Sequence, residues 1–324
     1  LSNSHVSRST LDGVAIFNAA GVQLRGNEVF ENRGDGIRLH NFTPTLATIG
    51  AADLTLNAGN RVHDNLGNGI EAAGLVQVVG NSVSGQDNTD SAGIFLSSGA
   101  TASRNVAFGN YFGVVGFLDS VVNENRVYDN LDAGILLRGG GLADGNVAYS
   151  NSAGIYVSSD YYYYPVALSH NLVYQNVLVG IQLDGLVQGA TLHNNTVAQA
   201  GTLGVSIGGN SSGVQLLDNI LTTATGIALA VSANSQAGFV SDYNLFHVSA
   251  TGRVASWQNV GRATLGAWQT ASSQDLHSLQ QNPLFVAPTG TDGIAGYGGA
   301  THDGRDDDYH VQSPYGSFHG GSLA

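Results

Sequence analysis

The chain contains no cysteine and no methionine, and its 11 basic residues are all arginine because lysine is absent as well. Without cysteine there is no disulfide scaffold and no thiolate metal site. Prolines number five and tryptophans two, and charged residues make up only 11% of the 324 positions. No apolar run approaches the ~20 residues that a membrane-spanning helix needs, so membrane insertion is not expected. The 24 acidic residues outnumber the arginines and give a formal net charge of −13, which argues against nucleic acid as a partner. A polyanionic polysaccharide would be repelled too, unless arginines gather locally or a divalent cation bridges the two.

What the chain has in quantity is glycine, 45 residues, together with a hydrophobic share of 42% that is enough for a core. It also repeats itself. An asparagine followed two positions later by Val, Ala or Leu recurs at Asn27, Asn60, Asn81, Asn105, Asn125, Asn146, Asn171, Asn195 and Asn219, with Asn3 before and Asn244 after, at intervals of 20 to 33 residues. Five residues after this anchor comes a second asparagine, at Asn32, Asn65, Asn110, Asn130, Asn151 and Asn176. A glycine then precedes alternating aliphatics, as in Gly36-Ile37-Arg38-Leu39, Gly134-Ile135-Leu136-Leu137, Gly154-Ile155-Tyr156-Val157 and Gly180-Ile181-Gln182-Leu183.

Each unit therefore holds short period-2 stretches separated by Gly or Asn, which predicts short strands with tight corners. One unit cannot bury its own apolar face, so units must stack, and strands stacked unit on unit make a parallel β-helix. The asparagines are expected to take the left-handed backbone conformation at the corners and to bond the coils above and below. With coils about 4.8 Å apart, ten or so of them make a rod roughly 50 Å long. Two segments read as loops leaving the rod, Phe42 to Gly59 and Ser158 to Pro165, and each contains a proline, which cannot donate to a ladder.

Past Asn244 the repeat stops. Ala263 to Ser273 reads as one short helix carrying Leu265, Trp268 and Gln269, with Thr264 placed to cap it, and Asn282 to Val286 reads as a final strand. The Gly- and Asp-rich stretch from Thr289 to Ala324 is expected to be loop-like and to cover the open end of the rod. We thus expect one all-β domain, with coils over 1–250 and a last coil, helix and cap over 251–324. The opening segment, from Leu1, already carries the repeat, so the chain reads as a monomeric piece of something longer.

The unit N-x-V-x-x-N-x-x-x-G-I-x-L resembles the right-handed parallel β-helix repeat of the pectin-lyase-like superfamily, which includes pectate and alginate lyases and mannuronan C5-epimerases. The tail, with Asn282-Pro283-Leu284-Phe285 and Asp308-Tyr309-His310-Val311-Gln312-Ser313-Pro314, is similar to that of many secreted bacterial members. The resemblance implies right-handedness and a secreted or cell-surface bacterial location. It also implies either of two functions: recognition or processing of a polysaccharide, in the manner of uronate lyases and C5-epimerases, or a non-catalytic structural or adhesive segment of a large surface protein. The epimerase hallmark Asp-Pro-His does not occur.

Uronate chemistry needs a group that neutralises the carboxylate and a base for the C5 proton. Outward positions of the Gly-Ile strand supply Arg138, Tyr156 and Asp184 as candidate catalytic residues, with Gln182 beside them. Three positions after the anchors comes an aromatic column that includes Tyr128, Tyr149 and Tyr174, a candidate stacking platform for sugars, and Tyr161 and Tyr162 sit in a tyrosine-rich loop placed to clamp a glycan. Calcium is the cofactor the carboxylates suggest, at Asp160 or in the acidic run containing Asp303, Asp306 and Asp308, since crowded carboxylates repel unless they share a hard cation, whereas the scattered histidines give little support for zinc or copper.

Overall fold

A computed structural model describes residues 1–51, 58–159 and 165–312. Among the described residues three sheets run the length of a solenoid, two of twelve strands and one of ten, and all but the last strand of the second sheet pair in parallel with their counterparts one coil away. The first sheet is built from the strands that follow the anchor asparagines, such as Arg126–Tyr128, Val147–Tyr149 and Leu172–Tyr174. The second comes from the Gly-Ile signature, including Ala133–Arg138, Ala153–Ser158 and Val179–Asp184, and the third from strands such as Gly141–Asp144 and Val166–Ser169. Inward aliphatics, among them Ile135, Ile155 and Ile181, are fully buried in one continuous core.

Two side-chain ladders run through the corners. Each anchor asparagine from Asn27 to Asn219 donates its backbone N–H and its Nδ2 to the Oδ1 of the next, as in Asn125 to Asn146 at 2.9 and 3.1 Å and Asn146 to Asn171 at 3.0 and 3.0 Å. The second ladder links Asn110, Asn130, Asn151 and Asn176 in the same way, and Gln199 closes it by accepting from the Asn176 N–H at 2.9 Å. The conformational expectation needs correcting. Beyond Asn3, the left-handed residue is the one before the anchor, for example Arg104 (φ 53), Glu124 (φ 55) and His170 (φ 52), so asparagine is required for its amide and not for its backbone. Glycine in the Gly-Ile signature has a steric cause: a Cβ on Gly154 would lie 2.4 Å from a Val173 methyl and 2.6 Å from the Gly180 carbonyl oxygen of the next coil.

Three segments differ from expectation. Phe42 to Gly59 is not all loop, because Ala47–Gly50 turns its Ala47 and Ile49 inward and adds a strand to the third sheet. A hairpin absent from the sequence reading, Arg253–Trp257 against Val260–Arg262, ends the second sheet in antiparallel pairing. The rod end is closed by this hairpin and by the helix Leu265–Ser272, capped by Thr264 as expected, whose Trp268 is fully buried against Trp257. There Asp275 terminates the first ladder, accepting from Asn244 Nδ2 at 2.9 Å and from the Trp268 indole at 2.7 Å. The described residues 290–312 therefore do not cover the end. They run back along the first sheet as a strap, held by Phe285–Ala287 pairing with Asp308–Val311.

Substituting Asn146 with Ala would leave the Asn125 N–H and amide buried without an acceptor, at about 1–3 kcal/mol per group. Chemical denaturation should therefore show a loss of at least about 2 kcal/mol, whereas outward Gln182→Ala should change stability by less than about 0.5 kcal/mol. Equal effects would overturn the assigned faces.

Candidate functional site

Alternation along the second sheet sends two rows of side chains outward. One row passes through Arg38, Glu71, Phe95, Val115, Leu136, Tyr156 and Gln182, and the other through His40, Ala73, Ser97, Phe117, Arg138, Ser158 and Asp184, each residue paired with the next by strand register. The face changes character along the rod. Its first coils are charged, its middle is aromatic and apolar, and its later coils are polar.

In the middle lies a groove of about 310 Å3 lined by Phe95, Phe112, Val115 and Leu136, with Asp90 and Arg138 at its edges. Arg138 is exposed, and no described residue forms an ion pair or hydrogen bond with its guanidinium. Tyr156 sits half-buried one coil on and one row across, next to the buried Leu136. Asp184 shares the Arg138 row but lies two strand spacings away, roughly 10 Å, with Ser158 between them. One of its carboxylate oxygens accepts from the Gly185 N–H at 2.9 Å. The candidate catalytic residues thus share one face, but Asp184 does not reach Arg138. Gln182 is half-buried beside Tyr156. Asp160, Tyr161 and Tyr162 lie outside the described residues.

The charged end was missed by the sequence reading. Arg38 is held by Asp12 at 3.0 Å, Asp35 at 2.8 Å and Glu71 at 3.6 Å, and His40 meets Glu71 at 2.7 Å. Burial first, then the neighbouring Glu71, pushes the Asp35 carboxyl above its ordinary pKa. A signal was present: the residue before the signature glycine is Asp12, Asp35 and Asn68 in the first three coils. These form a third corner ladder, with Asp12 accepting from the Asp35 N–H and Asp35 from the Asn68 N–H at 2.9 and 2.7 Å. This arginine is spent on its own carboxylates and is not free for a ligand.

The aromatic column does form, but it is not an open platform. Phe108, Tyr128, Tyr149 and Tyr174 stack face to face at 4.8 to 5.1 Å between centroids. The strap then covers them, leaving Tyr128, Tyr149 and Tyr174 at most 7% exposed. Tyr297 packs on Tyr128, Tyr309 packs on Tyr174, and the Asp303 carbonyl accepts from both Arg126 and the Tyr149 hydroxyl. Burial drives the Tyr149 and Tyr174 hydroxyls far above their ordinary pKa, so they stay neutral donors. Sugar stacking on these three tyrosines is excluded while the strap is in place.

Nor do the acidic residues of the strap converge. Asp303 pairs with Arg305 at 2.7 Å, Asp306 accepts from the Thr291 hydroxyl at 2.7 Å, and Asp308 meets His310 at 2.7 Å. Among the described residues no group of three or more His, Asp or Glu side chains is arranged to hold a metal ion. Asp303, Asp306 and Asp308, the carboxylates considered for calcium, each meet a separate partner.

A family model described as "Right handed beta helix region" matches residues 1–114, 42–166 and 113–265. The chain belongs to the right-handed β-helix family. No curated protein matches it. Solved structures with a similar course include the A-module of the Azotobacter vinelandii mannuronan C-5 epimerase AlgE4, at 18% identity and TM-score 0.36, with 87% of this chain and 90% of that chain covered. The periplasmic alginate epimerase AlgG aligns at 15% identity and TM-score 0.35 over 80% of this chain and 60% of its own.

Asp35→Asn keeps the acceptor for the Asn68 N–H while removing a charge that burial disfavours. A raised folded-state pKa adds stability below the ordinary value of about 3.9 that is lost as the pH rises through the folded value. The substitution should therefore compare more favourably with the parent at pH 7 than at pH 4, read from denaturant midpoints. The opposite ordering would show that the carboxylate stabilises the cluster.

Proposed function

We propose that this chain is an extracellular module that grips an acidic polysaccharide along the outer face of its second sheet, in the manner of the uronate lyases and C5-epimerases. The observation that carries the reading is Arg138: an exposed guanidinium without a partner among the described residues, at the mouth of an aromatic-lined groove of about 310 Å3. A planar guanidinium recognises a carboxylate through two parallel hydrogen bonds, and apolar rings beside it suit the faces of a sugar. The opposite end of the same face, where three carboxylates surround Arg38, repels a polyanion and so favours binding at the Arg138 end. In a processing reaction Arg138 would neutralise the uronate carboxylate, Tyr156 would take the C5 proton onto its phenolate oxygen while solvent water returns one to the opposite face, and Asp184 and Gln182 would hold the next sugars along the rod. Calcium would enter as a bridge between carboxylates of glycan and protein, and EDTA tests it.

The alternative, a structural or adhesive rod without chemistry, is favoured by the closed aromatic column and by the burial of Leu136 in the row between Arg138 and Tyr156. A panel of polyuronates and neutral polysaccharides separates the two readings, following binding by calorimetry and turnover by unsaturated-product absorbance and by the proton NMR signals of epimerised units. Arg138→Ala should abolish polyuronate binding and leave the thermal midpoint unchanged. Binding without turnover points to the adhesive role, and no binding of any polyuronate, with or without calcium, overturns the acidic-glycan reading.

A further inference from the structure

The aromatic column of the first sheet has a gap. Strand register continues its row from Tyr174 to Ala198, Thr222 and then His247, so two small residues separate two rings. Where rings are present they stack at 4.8 to 5.1 Å, one coil apart. Three coil steps of about 4.8 Å place the Tyr174 and His247 levels roughly 14 Å apart. Tyr309 of the strap leans against the Tyr174 end, 4.6 Å away with the rings tilted by 45°. What remains is a cleft of about 410 Å3, floored by Ala198 and Thr222, with Tyr309 and His247 among its walls and the strap residues Pro283 and Phe285 on its other side. That volume falls within the ~300–1,000 Å3 of small-ligand sites.

The lining is unlike the rest of this acidic surface. Among the described residues no Asp, Glu or Arg contributes to it, while Thr222, His247, Asn282 and Ser249 bring hydroxyl, imidazole and amide groups. His247 is also exceptional among the histidines. His5, His40, His63, His170, His193, His277, His302 and His310 each lie within ion-pair distance of a carboxylate, whereas His247 has no hydrogen-bond or ion-pair partner among the described residues. Its imidazole borders the cleft with no carboxylate to fix it.

We propose that the Ala198–Thr222 gap is a binding site for one neutral hexopyranose ring, which takes the place of the missing aromatic ring beside His247 and below the strap. A pyranose matches the site on two counts. Its faces present C–H groups to Tyr309, Phe285 and Pro283, and its equatorial hydroxyls bond to Thr222, His247 and Asn282 without the desolvation of any charge. This site lies on a different sheet from the Arg138 groove, so the two can be tested apart.

Titration of the purified chain with methyl glucopyranosides, galactopyranosides and mannopyranosides and with N-acetylglucosamine, followed by saturation-transfer NMR, should reveal one of them binding with a Kd of about 1 mM or tighter. Matching disaccharides show whether the ligand is a free sugar or a glycan end: tighter binding of the disaccharide identifies the glycan end. Thr222→Phe, which fills the gap with the missing ring, should weaken binding by at least about tenfold, and His247→Phe, which keeps a ring but removes the imidazole nitrogens, should do the same. Arg138→Ala should leave it unchanged. The proposal fails if no neutral sugar binds, if phenol or indole binds in its place, if Thr222→Phe and His247→Phe both bind like the parent, or if Arg138→Ala removes the binding.

Discussion

The rod depends on one interaction, the hydrogen bond from a buried corner N–H to the side-chain oxygen of an amide in the next coil. A solenoid corner interrupts the sheet ladder, and every interruption leaves polar groups in an apolar interior. An asparagine at each corner satisfies its neighbour's N–H and amide and receives the same service in turn, so the satisfaction is passed from coil to coil. Because the ladder holds one corner of every coil in line, coil length is free to vary from 20 to 33 residues without moving the sheets. Faces and loops are thereby separated: the stacked rows belong to the ladder, and sequence variation is carried by what leaves the rod. The residue before most anchors, though not Gly59 before Asn60, carries the strain of the left-handed corner, roughly 1 kcal/mol when it is not glycine, against amide bonds that would otherwise be unmade.

Most of this was legible in the sequence because the repeat imposes its own register. Once Asn105, Asn125, Asn146 and Asn171 are aligned, the outward position of Arg138, Tyr156 and Gln182 follows from alternation alone. Three kinds of feature were not legible. The left-handed corner falls on Arg104, Glu124 and His170, residue types that carry no backbone signature, and is visible only in the dihedral angles. The Asp12, Asp35 and Asn68 ladder was in plain sight as a column but occupies only the first coils, too few for a repeat to stand out. The strap escaped because its contacts span 130 to 177 residues, between Tyr174 and Gly304 and between Arg126 and Asp303, and no periodicity links such partners.

With lysine absent, positive charge on this surface comes from arginine and, under acid conditions, from histidine. Arg8, Arg38, Arg61, Arg104, Arg126 and Arg305 are all engaged with carboxylates. Most described histidines stand beside a carboxylate as well, so the excess of acid is tempered locally and not by a general basic face. Arg25, Arg33, Arg138, Arg253 and Arg262 form no ion pair among the described residues, and of these Arg138 borders the apolar groove, while His247 borders the uncharged cleft.

The strap also changes how the rod would respond to force. A solenoid held only by neighbouring coils unravels from either end one turn at a time, each turn peeled like a zip. Here the chain doubles back after the last coil, and its Asp303 carbonyl is fastened to Arg126 and Tyr149, near the middle of the stack. Tension applied beyond Val311 first loads its pairing with Phe285–Ala287 and the Tyr309–Tyr174 contact, and then the Asp303 bonds to Arg126 and Tyr149. The strap makes the later turns a latched unit, and the turns before Arg126 are left to unwind on their own.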